Sequence, residues 1–317
     1  MQETTIGIDV GGTKVHAVLL NSADNQILER HTTPSIDDGP SLIQLLSSLI
    51  KKITENAIKK PHAVGVGIAG LAHRSGILRY SPNLSGLIEF PIKEELENSV
   101  GYPVFIGNDA TVGAVAEWKL GAGKGSNNFA FVTLGTGIGT GLVVDGRLLL
   151  GQNGFAGEAG HMTIDMNGPT YLTGHKGPWE YFASGVALNR LVQTEALKGD
   201  FPWASSKVEN TQAVIGRHLH LGVNEGEVDS LRILDKFCKE LSIGLTNLVL
   251  LLDLELIVIG GGLCEIGEPL RKNVENWIEK LLPGENHRPT IKVKLAETGV
   301  DAGAVGAALS AYNYFNL

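Results

Sequence analysis

Apolar residues along the chain recur with two different periods, and these predict strands that alternate with helices. Near the N-terminus a strand, a glycine-containing turn, a second strand over residues 15–20 and a third strand follow one another. A helix is predicted next, because leucine and isoleucine recur there at helical spacing: Leu42, Leu45, Leu46, Ile50 and Ile53. A buried strand over 63–70, a loop reaching Asn83, and a helix leading to a short strand that ends at 107–110 complete this half.

The second half begins with a similar β-meander, over 129–150, and continues into a long glycine-rich loop, 151–185. Loops of that length in compact proteins usually serve a function. A stripe of apolar residues then predicts a long core helix: Leu231, Leu234, Cys238, Leu241, Leu245, Leu248 and Leu252. Two further strands, 256–259 and 291–295, precede a helix of small residues at 302–308, which we expect to return to the first half.

A turn rich in glycine and threonine stands between the first two strands of each half. The first copy contains Asp9, Gly11, Gly12, Thr13 and Lys14, and the second contains Thr133, Gly135, Thr136 and Gly137. Because glycine has no Cβ, several backbone N–H groups can converge on a phosphate at such a turn. A third glycine group, Gly260, Gly261 and Gly262, ends a buried strand. Two copies on similar frames predict a duplicated α/β fold that holds phosphates from two sides, which indicates phosphoryl transfer.

Composition and charge narrow the classes of function. The 317 residues are 43% hydrophobic and 19% charged, which fits a soluble globular protein with two lobes. The net charge is −8 and Lys and Arg form no cluster, which argues against nucleic acid as a partner. No apolar run reaches membrane-spanning length, and a strand starts too early for a signal peptide, so we expect a cytoplasmic protein. Cys238 and Cys264 lack metal-site spacing, and we expect both to be buried, reduced thiols.

Six segments together resemble one family, the ROK family of bacterial sugar kinases and related regulators, within the actin- and hexokinase-like ATPase superfamily. The matching segments are 9–14, 107–110, 133–141, 157–162, 179–185 and 260–262. The resemblance implies a duplicated actin-like (ribonuclease H-like) fold in which two lobes enclose a cleft. We assign residues 1–118 and 300–317 to the smaller lobe and 119–299 to the larger one. The family also implies a homodimer.

The resemblance implies a role for each candidate residue. Asp109 matches the catalytic base that takes a proton from the sugar, although a carboxylate at that point can also simply cap a helix. Asn83, Asn108, Glu158, His161 and Glu180 match the contacts to sugar hydroxyls, with Asp109 among them. Asp9 matches a residue that holds Mg²⁺ through water. The two turns and the Gly260–Gly262 group match the ATP-binding segments, in which Lys14 adds positive charge.

The chain departs from many relatives at a structural zinc site. Those relatives bind zinc through the motif histidine, here His161, and three cysteines, whereas this chain has Tyr171, Thr173 and Pro178 at the matching positions. A closed zinc site requires four nitrogen or sulfur ligands, so we predict that no zinc is bound. The loop that carries Glu180 must then be held by packing, for which Tyr171, Trp179 and Tyr181 are candidates.

We therefore expect ATP- and Mg²⁺-dependent phosphorylation of a hexose at its 6-hydroxyl. Glucose is the predicted sugar, because residues 177–185 are similar to that segment of bacterial glucokinases. N-acetylmannosamine, N-acetylglucosamine, allose, mannose and fructose remain open, as does polyphosphate as phosphoryl donor. A sugar-sensing repressor is the alternative from another class, but eight residues precede Asp9 and we expect no DNA-binding domain there. An ATPase of the same superfamily that uses no sugar would not need Glu158, His161 and Glu180.

Overall fold

The computed structural model describes residues 3–57, 59–172, 174–284 and 287–315. Within them it contains two five-stranded sheets with the same strand order. The first sheet has the order β3-β2-β1-β4-β5 and consists of β1 (Thr4–Val10), β2 (Lys14–Asn21), β3 (Ile27–Pro34), β4 (Val64–Ile68) and β5 (Val104–Asn108). The second has the order β8-β7-β6-β9-β10 and consists of β6 (Phe129–Leu134), β7 (Ile138–Val144), β8 (Arg147–Leu148), β9 (Leu256–Gly260) and β10 (Lys292–Leu295).

The two sheets also agree in strand direction. In the first, β1 pairs antiparallel with β2 and parallel with β4, in a register that sets Ile8 opposite both Ala17 and Val66. In the second, β6 pairs antiparallel with β7 and parallel with β9. The duplicated α/β architecture predicted from the sequence is therefore confirmed. In both sheets the turn between the two antiparallel strands is one of the glycine turns.

Helices cover both sheets, and the described residues contain ten of them. They are α1 (Gly39–Asn56), α2 (Ile92–Val100), α3 (Asp109–Leu120), α4 (Trp179–Ala183), α5 (Gly185–Lys198), α6 (Pro202–Ser205), α7 (Gly216–Asn224), α8 (Val228–Leu252), α9 (Glu268–Leu281) and α10 (Ala302–Phe315). The start of α1 follows from its sequence, since the Asp38 carboxylate accepts the Ser41 N–H at 2.9 Å and proline lies in the first turn. Helix α8 lies along the core of the second half, where most of its predicted apolar stripe is buried, although Leu231 is exposed.

Two helices of small residues, α3 and α10, pack against each other between the sheets. Helix α10 also packs on β1 and β4, and α3 packs on β7. The approach is so close that a Cβ on Gly306 would lie 1.7 Å from the Val112 carbonyl oxygen. A Cβ on Gly7 of β1 would lie 1.8 Å from the Ala304 carbonyl oxygen. Glycine at these two positions therefore sets the distance between the helices and the first sheet.

We expect Gly306→Ala to destabilise the protein by about 1–3 kcal/mol, because the added methyl group meets the rigid backbone of α3. Alanine favours the helical state by about 0.5–1 kcal/mol over glycine, but this gain is smaller than the cost of the clash. Urea denaturation followed by circular dichroism measures the difference. Ser310→Ala, one turn further along the same helix, is the control and adds no volume. A Gly306→Ala protein as stable as the wild type would contradict the close packing.

A buried carboxylate ties together the two chain segments that pass between the sheets. Glu117, near the end of α3, is fully buried. It accepts the Ala122 N–H at 2.8 Å on the outgoing segment, and the N–H groups of Glu297 at 3.1 Å and Thr298 at 2.8 Å on the returning one. The Thr298 hydroxyl also donates to it. One side chain thus fixes both connections relative to α3.

Some expectations need correction. Cys238 is buried, but Cys264 is partly exposed and its thiol donates to the Ile259 carbonyl oxygen at 2.9 Å. The segment 151–185 is not a plain loop, because it contains a 3₁₀ turn at Ala159–His161 and helix α4. The division into lobes at 118 and 299 stays a prediction, and its first boundary falls inside α3. None of the helices in the described residues has the length and apolar character needed to cross a membrane.

Candidate active site

The first glycine turn connects β1 and β2 and is open to solvent. The Gly11 N–H donates to the Lys14 carbonyl oxygen at 3.0 Å, which closes the turn. Gly12, Thr13 and Lys14 are exposed at its tip. A Cβ on Gly12 would lie 3.0 Å from the Asn83 Cβ, so the predicted sugar-contact residue Asn83 stands directly beside this turn.

The second turn, between β6 and β7, is also closed by a hydrogen bond from its first glycine, but to the residue two positions later and not three. The Gly135 N–H donates to the Gly137 carbonyl oxygen at 3.0 Å, and Gly135 and Thr136 are exposed. Thr133 is the penultimate residue of β6 and is half-buried. Gly261 has a φ of +83°, and a Cβ there would lie 2.5 Å from the Leu134 carbonyl oxygen. The Gly260–Gly262 group therefore lies against the second turn, as one extended backbone surface.

The structure separates the roles of Asn108 and Asp109. Asn108 is the N-cap of α3, where its Oδ1 accepts the Thr111 N–H at 3.1 Å and its Nδ2 donates to the Gly70 carbonyl oxygen at 3.2 Å. The interpretation of Asp109 as the helix cap is therefore wrong. Asp109 is the first helical residue, and its Oδ1 accepts the N–H of Ala110 at 2.9 Å. With capping assigned to Asn108, the Asp109 carboxylate is available for chemistry.

Asp9 and Asp109 form an electrostatically coupled pair. Burial, and to a smaller extent the negative charge of Asp109, raise the pKa of Asp9 to about 7, although the positive charge of Lys14 opposes both. Burial also raises the pKa of Asp109. A Cβ on Gly303 would lie 2.6 Å from the Asp9 Cγ, so the start of α10 closes one side of this carboxylate. Two neighbouring carboxylates beside the first glycine turn offer oxygen donors of the kind that a divalent cation requires.

Described side chains supply no group of three or more His, Cys, Asp or Glu residues that could hold a metal by themselves. This arrangement still fits Mg²⁺, since that ion commonly keeps several waters and binds through one or two carboxylates together with substrate phosphates. The same two carboxylates do not make a structural zinc site, because such a site needs four protein ligands. Thr173, one of the three positions that differ from zinc-binding relatives, lies outside the described residues.

The sugar-contact candidates Glu158 and His161 face each other across 3.7 Å, from Oε2 to Nε2. Both keep exposed side-chain surface, 38% and 40%. Burial is the main cause that raises the pKa of Glu158. The negative charges of Asp109 and Glu180 raise this pKa further, and His161 lowers it. These couplings bring the catalytic candidate and three sugar-contact candidates into one cluster.

Glu180 joins that cluster to the second turn. Its Oε2 accepts the Ile138 N–H at 2.8 Å, and a Cβ on Gly137 would lie 2.2 Å from the same oxygen. Any side chain at position 137 would displace this carboxylate. The position of the Glu180 carboxylate therefore requires glycine at this point of the turn.

The segment around Glu180 is held by aromatic packing. Trp179 is fully buried, and its Nε1–H donates to the Leu241 carbonyl oxygen of α8 at 3.1 Å. The rings of Tyr171 and Tyr181 meet edge to face with centroids 5.7 Å apart. The Arg190 guanidinium lies 3.7 Å from the centroid of Tyr181 and donates to the Tyr181 carbonyl oxygen. All three predicted packing residues thus contact the core or one another.

If this packing replaces zinc, chelation leaves the protein intact. We expect EDTA to shift the thermal midpoint by less than about 1 °C, because no metal contributes to folding free energy. Metal analysis of the purified protein is expected to find no stoichiometric zinc. A midpoint lowered by EDTA and restored by Zn²⁺ would contradict the packing interpretation.

Sequence reasoning missed the contacts that bring the two halves together near this cluster. The Arg74 Nη2 donates to the Gly151 carbonyl oxygen at 2.5 Å, and the Arg74 N–H donates to Asn153 at 3.0 Å. The rings of His73 and Phe155 meet edge to face at 5.8 Å. No motif marks Arg74 and His73, because their partners, two backbone carbonyls and one aromatic ring, are distant in sequence.

Comparison with known proteins shows the family of the chain. The sequence matches the profile of the ROK family over residues 5–313. Glucokinase from Streptomyces coelicolor is 33% identical over 96% of each chain, and the xylose repressor of Bacillus spizizenii is 31% identical over 82% of this chain and 65% of the repressor. The crystal structure of a ROK family glucokinase from Streptomyces griseus, in complex with glucose and AMPPNP, superposes with a TM-score of 0.85 at 28% identity, covering 98% of this chain and 99% of that one. The chain belongs to the ROK family.

Proposed function

We propose that the protein is a sugar kinase that transfers the γ-phosphoryl group of ATP to the 6-hydroxyl of a hexose, with glucose as the preferred substrate. The observation that carries the proposal is the placement of the Asp109 carboxylate. It is released from helix capping, shares a cluster with Asp9, and is electrostatically coupled to Glu158. The similarity to glucokinases over 96% of each chain supports the choice of sugar.

In the proposed reaction, Glu158, His161 and Glu180 bind the hydroxyls of the sugar ring, with Asn83 and Asn108. Carboxylates and imidazole suit this role because they accept hydrogen bonds in fixed geometry. Asp109 accepts the proton of the 6-hydroxyl, the sugar oxygen bonds to the γ-phosphorus, and the bond to the β-phosphate oxygen breaks to release ADP. The raised pKa of Asp109 makes it a stronger base than an exposed aspartate.

The two glycine turns and the Gly260–Gly262 backbone bind the phosphates in this proposal. Exposed N–H groups and the hydroxyls of Thr13 and Thr136 are available for this, and Lys14 adds positive charge. Asp9 and the phosphates would hold Mg²⁺, which when bound neutralises negative charge on the transferred group. Positioning and charge neutralisation are the main requirements of phosphoryl transfer.

Three finer expectations belong to the proposal: dependence on Mg²⁺, a homodimer, and a cytoplasmic location. The oxygen ligands of the Asp9 carboxylate support dependence on Mg²⁺, and the family resemblance supports the homodimer. Light scattering of the purified protein tests the dimer directly. The proposed lobes are 1–118 with 300–317, and 119–299, which is supported by the packing of α10 on the first sheet.

A sugar-responsive repressor is the second candidate, because the chain is also similar to a xylose repressor. The chain has a candidate base, Asp109, and two glycine turns suited to phosphates. Both features favour the kinase, since sensing a sugar requires neither of them. A coupled ADP-release assay over a panel of sugars discriminates between them. We expect one hexose to be strongly preferred and no turnover without a divalent cation. Sugar binding without any sugar-dependent ADP release would favour the repressor. Replacement of ATP by polyphosphate in the same assay identifies the donor.

A further inference from the structure

Two loops, one from each half of the chain, contact each other within a few residues of the sugar-contact candidates. The first is a hairpin over 71–80, whose two sides are joined by backbone hydrogen bonds. The second is a turn over 150–156, in which the Ala156 N–H donates to the Leu150 carbonyl oxygen at 3.2 Å. Each loop is therefore held in shape by its own hydrogen bonds.

Arg74, at the tip of the hairpin, contacts the second loop through both its backbone and its side chain. Its N–H donates to the Asn153 carbonyl oxygen at 3.0 Å, and its Nη2 donates to the Gly151 carbonyl oxygen at 2.5 Å. The rings of His73 and Phe155 meet edge to face beside these hydrogen bonds, with centroids 5.8 Å apart. We call the contacts made by these five residues the clasp.

The two loops also fit closely at Gly154. A Cβ at this position would lie 3.0 Å from the Ala72 carbonyl oxygen and 3.3 Å from the Arg74 Cγ. The φ of Gly154 is +94°, which side-chain-bearing residues rarely adopt. Both the space and the backbone angle therefore favour glycine where the second loop meets the hairpin.

Each loop is directly connected to sugar-contact candidates. On the first half, the Asn108 Nδ2 donates at 3.2 Å to the carbonyl oxygen of Gly70, the residue before the hairpin, and Asn83 follows three residues after the hairpin. On the second half, Glu158 comes two residues after the turn. The clasp thus joins the sugar-contact candidates of one half to those of the other.

Resting on the proposed function, we propose that Arg74 is a positioning residue for sugar recognition: through the clasp it holds Asn83 and Asn108 at the distance from Glu158 at which one sugar ring contacts both halves. A ligand that needs such an arrangement binds more weakly when a smaller fraction of the protein adopts it. Loss of the clasp therefore weakens sugar binding, whereas the reaction of the bound sugar stays the same.

Arg74→Ala tests the proposal, because it removes the charged donor of the clasp. We expect the sugar Kd, measured by calorimetry without nucleotide, to rise about threefold or more, while kcat at saturating sugar changes by less than about twofold. The thermal midpoint of the sugar-free protein is expected to stay within about 2 °C of the wild type, because an exposed side chain contributes little to stability. Arg74→Lys, which keeps a charged donor, is expected to restore part of the affinity.

Arg79→Ala is the matched control. Arg79 lies on the same hairpin, but its ion-pair partner, Glu89, belongs to the same half of the chain. We expect this variant to bind the sugar like the wild type. An equal loss of affinity in Arg79→Ala and Arg74→Ala would overturn the proposal, because it would indicate a general effect of the hairpin.

An unchanged sugar Kd in Arg74→Ala would also overturn the proposal and leave the kinase assignment intact. So would a weaker affinity accompanied by a large fall in both kcat and the thermal midpoint, since that pattern indicates a structural role. Absence of sugar-dependent turnover in the wild type would instead refute the kinase assignment, and the calorimetric comparison would still test the clasp.

Discussion

Asp109→Asn is expected to reduce turnover by about 10²–10⁴-fold while the protein still binds its sugar. The amide has nearly the shape of the carboxylate but cannot take the proton of the 6-hydroxyl. Contacts from Glu158, His161 and Glu180 remain, so the sugar Kd measured by calorimetry is expected to change little. Steady-state ADP release at saturating sugar and ATP measures the loss.

The same variant is expected to be at least as stable as the wild type. A carboxyl group whose folded pKa is raised favours the folded state below its unfolded pKa, and this contribution is lost as the pH rises through the folded pKa. Above its raised folded pKa, the ionised, buried Asp109 therefore costs stability, and asparagine removes that cost. Asp200→Asn, at an exposed position, is the control. Turnover within about threefold of the wild type would exclude Asp109 as the base.

Much of the fold was predictable because its signals are local. The strand–turn–strand pattern around each glycine turn depends on neighbouring residues, and the Asp145-Gly146 turn adopts the positive φ values, 51° and 66°, that such a hairpin requires. Helix α9 was not predicted, although Leu270, Val274 and Ile278 recur at helical spacing and are buried.

The site was predictable only as a set of residues. Motifs selected Asp109, Glu158 and Glu180, but whether Asn108 or Asp109 caps α3 depends on backbone angles that the sequence does not encode locally. Partners such as the Ile138 N–H are backbone groups, and every residue other than proline has one. Tertiary placement alone decides which of them meets Glu180. This is why the coupling between the sugar cluster and the second turn emerged from the structure.

The arrangement of this site depends on the two chain segments that connect the sheets. Glu117 is the residue that holds these segments together. Both sheets contribute to the cluster, Asp9 and Asp109 from strand ends of the first, Glu180 against β7 of the second. Their relative position depends on the segments on which Glu117 holds Ala122, Glu297 and Thr298. We therefore expect replacement of Glu117 to lower the stability of the whole protein, although its hydrogen-bond partners lie outside the sugar cluster.

Glu117→Gln is expected to destabilise the protein by about 3 kcal/mol or more, because at least two charged hydrogen bonds of about 1.5–3 kcal/mol each are lost. The amide keeps one acceptor oxygen, but its NH₂ group then faces backbone N–H groups that the carboxylate satisfies, and among these the Ala122 N–H belongs to a buried residue. Urea denaturation at neutral pH measures the change, with Glu225→Gln at an exposed position as the control. A change below about 1 kcal/mol would mean that the two segments hold their positions without the charge.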